Sequence, residues 1–139
     1  MATIKKEEYP IKEIMLMDTN GDTKMLLLKD LCSRLPYGVM VNVNGNNEKV
    51  DEINPFEGLI TCGFQYFVTE ECKPYLRPMP SMTKDEKKEY HELCDYYYGR
   101  YFNTIDSINW LLGHHFDYRG LIEKGLAIAM TEENNPYKE

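Results

Sequence analysis

The stretch Leu26–Val43, LLLKDLCSRLPYGVMVNV, holds a helix signal, a stop and a strand signal within eighteen residues. Leu28, Leu31, Cys32 and Leu35 recur at i, i+3, i+4 and i+7, one face of an α-helix, and Lys29, Asp30, Ser33 and Arg34 take the other. Pro36 has no N–H to donate and pushes Leu35 out of helical angles, so the spacing predicts a short helix ending near Leu35. Tyr37-Gly38 makes a turn, and Val39, Val41 and Val43 alternate with Met40 and Asn42 as a strand does. Neither piece is stable alone, so the later chain must supply a sheet for both to pack on.

Before this stretch, Ile14 and Leu16 with Met15 and Met17 read as a short strand. Asp18–Asp22 carries Asn20-Gly21, a hairpin signal, and Thr23–Leu27 reads as the returning strand. The same DTNGD spaces its oxygens a little like the start of a calcium loop, but Lys29 stands where such a loop needs its twelfth, acidic ligand. Residues 1–11 read as frayed or superficial. After the valine strand, Asn44–Asn47 is a second turn, Glu48–Ile53 a partner strand, and Asn54-Pro55 a break. Leu59–Cys62 and Phe64–Val68 are two further strands around Gly63.

Lys73–Pro80 has three prolines in its eight residues, which hold it extended. Two readings follow: a stiff surface strap with Tyr75, Leu76 and Met79 packed down, or a ligand for a proline-recognising groove. Thr83 and Glu86 form a capping box, and the helix behind it is expected to run to about Arg100, with Tyr90, Leu93, Cys94, Tyr97 and Tyr101 on one face. Thr104–His115 reads as a second helix with Ile105, Ile108, Leu111 and Leu112 inward. Asp117–Lys124 reads as a third, short one stopped by Gly125, before a loose polar tail from Thr131.

The chain's 139 residues fit one domain, with residues 12–70 β-rich, 71–82 a proline-rich connector and 83–130 helical. Sixteen basic and 23 acidic residues give a formal charge of −7, and an acidic chain repels a phosphate backbone, which argues against nucleic acid. No apolar run approaches the ~20 residues that span a bilayer, and MATIKKEEYPIKE lacks the apolar core of a secretion signal. The expected compartment is the cytoplasm, with no membrane contact. Cys32, Cys62, Cys72 and Cys94 show no C-x-x-C spacing and read there as small buried apolar residues, with a Cys62–Cys72 bridge the alternative.

Three groups are candidates for chemistry. His114 and His115 with Asp117 have the ligand types to bind a transition metal or move protons. Adjacent helical residues point about 100° apart, however, so one regular helix cannot aim both imidazoles at one ion. His91 and Cys94, at i and i+3, can supply two zinc ligands if His115 and Cys72 join them, but Cys94 also suits a buried apolar face. The aromatic run Tyr96, Tyr97, Tyr98, Tyr101 and Phe102 exceeds what one helical stripe can bury. It either roofs the core or, with Arg100 and Arg119, offers a protein-binding surface. There is no glycine-rich phosphate loop, no G-x-S-x-G and no H-E-x-x-H. The short C-terminal helices could mimic a helix-turn-helix, but their acidic balance argues against DNA.

Three phrases, LKDLCSRLPYGV (28–39), CKPYLRPMPSMT (72–83) and WLLGHHFDYRGLIEKGLA (110–127), resemble a set of short uncharacterised proteins of gut bacteria and their phages or prophages. The resemblance implies a cytoplasmic protein associated with a mobile element and carries over no catalytic residues. Residues 44–70 take no part in it.

The sequence therefore predicts an α+β domain. It has a small bent antiparallel sheet or partial barrel with an embedded short helix, covered by two or three C-terminal helices. The expected function is non-enzymatic protein binding, without a cofactor, through Tyr96, Tyr98, Arg100, Phe102, His114, His115, Asp117 and Arg119. One alternative is a small metal-dependent or acid–base enzyme using His91, Cys94, His114, His115 and Asp117; another is a structural or oligomeric module.

Overall fold

Pro36 ends the first helix where expected, but that helix begins far earlier. Residues 11–138 are described in the structure, a computed structural model, with side chains from Asp22 onward. Helix α1 spans Ile11–Arg34, so the strand and hairpin expected over residues 14–27 are a continuous helix instead. Asn20-Gly21 is a turn signal only between segments that prefer strands. Here its neighbours are Met, Leu and Lys, good helix formers, and one glycine costs a helix only about 1 kcal/mol. Of the residues 1–11 expected to fray, only Ile11 is described, and it opens α1; residues 1–10, and the side-chain oxygens of Asp18–Gly21 invoked for calcium, lie outside the described residues and side chains.

After α1 a single 3₁₀ turn, Leu35–Tyr37, leads through Gly38 at φ 82° into β1, Met40–Val43. The two-residue turn Asn44-Gly45, both at positive φ, returns the chain as β2, Asn46–Lys49. The expected strand Glu48–Ile53 is divided between two sheets. Val50 N–H donates to Val39 O in the first, and Asp51 N–H donates to Thr61 O in the second. Val50, 2% exposed, is anchored in the core at that handover. Strands β3 (Glu52–Asn54), β4 (Leu59–Cys62) and β5 (Gln65–Val68) then form an antiparallel meander, as the alternation in residues 59–68 predicts.

The proline-rich segment is not a strap on the surface. Lys73–Leu76 is β6, a central strand, antiparallel to β1 and parallel to the short β9, Ile128–Ala129. Pro74, Tyr75 and Leu76 are all buried, as expected of Tyr75 and Leu76, whereas Met79, expected to pack down with them, is half-buried. The sheet order is β2-β1-β6-β9 beside the separate β3-β4-β5. Leu27, Leu28 and Leu31 of α1 share one core with Val39, Val41 and Val43 of the first sheet, Ile60 and Cys62 of the second, and Leu121. The helix thus shares one core with both small open sheets. The fold is α+β, with sheets that do not close.

Helix α2 is Lys84–Leu93, with the predicted box in place: Glu86 N–H donates to Thr83 Oγ1 and Thr83 N–H to Glu86 Oε1. It stops seven residues short of the expected Arg100. Asp95–Tyr97 and Arg100–Phe102 are strands β7 and β8 of a separate hairpin. Tyrosine and phenylalanine favour strands, and Gly99 permits the tight turn. Helix α3 is Ile105–Gly113, capped by Thr104. Leu111 and Leu112 face inward as expected, but Ile105 is exposed. Two turns, roughly 10 Å of helix, carry it past the edge of the core. Residues 117–124 form turns rather than a third helix, because Gly120 sits at φ 77° in their middle. Among the described residues no helix is long and apolar enough to cross a membrane.

Candidate functional site

The three phrases singled out above meet in space. Asp30 and Arg34 are one helical turn apart, both fully buried, with Arg34 Nε donating to Asp30 Oδ2 at 2.7 Å. Arg119 Nη1 takes the other carboxylate oxygen at 2.7 Å, and its Nη2 reaches Ser33 Oγ at 3.2 Å. Arg34 Nη2 donates to the Phe116 carbonyl at 2.7 Å. From β6, Arg77 N–H donates to His115 O and Arg77 O accepts from Asp117 N–H, which zips the second phrase to the third. The Arg77 guanidinium lies over the Phe116 ring, 4.1 Å from its centroid, and forks onto both oxygens of Glu86. That fork, with the bond from Thr83, holds the Glu86 carboxyl down to about 2.

The predicted residues of the third phrase are consumed inside this junction. Asp117 accepts from the N–H groups of Leu121 and Ile122 at 2.8 and 2.9 Å, as a helix cap would, though no helix follows. His114 stacks on Trp110 at 4.0 Å, with Nδ1 2.8 Å from the Trp110 carbonyl oxygen. His115 stacks on Tyr137 at 3.8 Å, and Tyr137 OH accepts from Met40 N–H. The tail expected to be loose is therefore docked: its one aromatic ring finds an imidazole and a strand amide. Burial, then the nearby Arg34, His114 and Arg77, pulls the His115 imidazole down to about 4. Arg34 Nη1 and His115 Nδ1 are buried without a hydrogen-bond partner. The junction is a charged lock.

The groups proposed for zinc do not converge. His91 is stacked flat on Tyr101 at 3.7 Å, whereas His115 faces Tyr137. Cys72 is buried in the main core, and Cys94 is the residue that ends α2. Among the described residues no three His, Cys, Asp or Glu side chains are grouped to hold a metal ion. All four thiols are free, and burial pushes Cys62 and Cys72 up to about 11 and 12.

What stands open is the hairpin β7–β8. Every residue of both strands is exposed. Cross-strand register pairs Tyr96 with Tyr101, Asp95 with Phe102 and Tyr97 with Arg100. One face thus carries the Tyr96–Tyr101 pair leaning on His91. The other carries Tyr97, Phe102 and Arg100, with the guanidinium 5.6 Å from the Phe102 centroid. The tip is unusual. Tyr98-Gly99 has the same positive-φ pair as Asn44-Gly45, at 52° and 75° against 53° and 87°. Asparagine suits that first position, whereas a bulky side chain there is an outlier costing about 1–3 kcal/mol. Tyr98 is nevertheless 100% exposed and gains no contact in return. The aromatic run does not roof the core. The sequence showed the surplus but assigned it to a helix, and so missed Tyr97 and Tyr101 as surface residues and Tyr98 as the tip.

Comparison with protein-family models, with curated proteins and with solved structures finds no match to this chain.

Proposed function

We propose that this chain is a non-enzymatic, protein-binding accessory protein of a bacterial mobile element or phage, acting in the cytoplasm through the β7–β8 hairpin. The observation that carries the reading is the exposure of Tyr96, Tyr97, Tyr98, Tyr101 and Phe102 on one projecting hairpin. Tyrosine with arginine is the composition that interface centres favour, because each ring brings a large area, few rotatable bonds and a polar tip. The acid–base and metal readings have less support, since each histidine ring is stacked on an aromatic neighbour of its own.

The test is capture from a bacterial host lysate on immobilised protein, comparing wild type with the double variant Tyr97→Ala, Phe102→Ala. Both residues lie outside the core, so the double variant should keep the wild-type melting temperature and lose the captured partner. If both proteins capture the same set of proteins, the hairpin is not the binding surface.

A further inference from the structure

We propose that one occupant of this hairpin is a second copy of the same chain, joined strand to strand about a two-fold axis. The inference rests on the protein-binding reading and names a partner for it. Three observations bear on a second copy.

The first is backbone. Among the described residues, strands β7 and β8 pair only with each other and make no further backbone bond. A lone two-stranded hairpin is marginal in water, and its free edges are templates for another strand. The second is charge. The chain as a whole carries −7, so two copies repel at most surfaces. Residues 95–105 hold one acid, Asp95, and one base, Arg100, so the hairpin is a neutral patch where that repulsion is weak. The third is area. The exposed fractions of Tyr96, Tyr97, Tyr98, Tyr101, Phe102 and Ile105, at about 200 Å² per large side chain, amount to roughly 800 Å². This area is spread over both faces of the hairpin, so edge-on pairing covers only part of it, against about 800 Å² per partner for an interface of ordinary size.

The register is also self-complementary. Antiparallel pairing of β8 with its copy, centred on Tyr101, sets Arg100 of each chain opposite Phe102 of the other. The cation–π contact already present within one chain is then repeated between chains. The opposite face becomes a row of four tyrosines, Tyr96 and Tyr101 from each copy. Tyr98, held at the tip in a conformation its side chain disfavours, reaches furthest and anchors on the body of the other copy.

Sedimentation equilibrium of the full chain, from low micromolar to a few hundred micromolar, reads this directly. Wild type should shift from one to two chain masses over that range. Tyr98→Asn restores the favoured Asn-Gly turn, so it should melt higher than wild type at a concentration where both are monomers. It should also weaken the dimer by about thirtyfold or more, as loss of an interface anchor does. Arg100→Glu places two acids on each hairpin and should abolish the dimer outright. A wild type that stays monomeric throughout overturns self-association and leaves lysate capture to decide the broader reading. A dimer that both variants leave intact uses some other surface and equally overturns the proposal.

Discussion

Arg34 Nη2 and the Phe116 carbonyl meet at 2.7 Å across 82 residues of sequence, in a place where Arg34 has no exposed surface at all. The same arginine is paired with Asp30, which is paired in turn with Arg119. One buried carboxylate therefore ties the end of α1 to the segment after α3. Removing one partner of a buried pair leaves an uncompensated charge and costs about 3–5 kcal/mol. Asp30→Ala, which strands two arginines, should lose at least that much in urea unfolding. Arg34→Lys keeps the charge but cannot span both the carboxylate and the carbonyl, so it should be nearly as damaging. Wild-type stability in Arg34→Lys would show that charge alone holds the junction.

Tyr137 makes the C-terminal segment part of the same lock. Its hydroxyl is the acceptor for Met40 N–H at 2.8 Å, at the start of β1. Tyr137→Phe keeps the stack on His115 and removes only that acceptor, which should cost about 1–3 kcal/mol for an unsatisfied strand amide. Amide exchange at Met40 should accelerate in the variant while exchange at Val41 stays near its global value. An unchanged Met40 rate would mean that the amide finds another acceptor.

Much of the fold is legible in residues 28–43 and 59–68, where the hydrophobic period, Pro36 and paired turn residues agree with one another. The failures lie where local signals conflict. Asn20-Gly21 announces a hairpin, but its flanks prefer a helix, and nothing short of the full helix shows which wins. Tyr90 to Tyr101 can be placed on a helical stripe, yet tyrosine after Leu93 prefers a strand once Gly99 offers a turn. Within the candidate site, the aromatic surplus was countable from sequence. The lock was not: Asp30 and Arg34 look like the wet face of an amphipathic helix until Arg119 and the Phe116 carbonyl cover them.

The cysteines divide by environment. Cys62 and Cys72 are buried in the shared core, with thiols pushed up to about 11 and 12, chiefly by burial. Cys32 and Cys94 are partly exposed. A thiol reagent at pH 8 should reach and label Cys94 in the native protein, Cys32 more slowly because burial raises its thiol too, and Cys62 and Cys72 only after denaturation, since they are enclosed and burial disfavours their reactive thiolates. Rapid native labelling at Cys72, read by peptide mass, would place β6 outside the core.

Two neighbouring groups should give stability a two-step dependence on pH. His115 is pulled from 6.5 to about 4 in the folded chain, so between those values the unfolded chain binds the extra proton and stability falls as pH falls. Glu86 is held near 2 against an ordinary 4.5, so the unfolded chain again gains the proton first, and its contribution is lost as pH falls from about 4.5 toward 2. Both losses have the same sign but occupy adjoining windows. His115→Asn, chosen because asparagine tolerates the residue's φ of 65°, should flatten the upper window and leave the lower one. Glu86→Gln should do the reverse, at the expense of the Arg77 fork. Melting temperatures from pH 7 to pH 2.5 separate the two. An upper slope that survives in His115→Asn would mean that some other group carries the proton uptake, and that burial, with Arg34 and Arg77 nearby, does not keep this imidazole neutral.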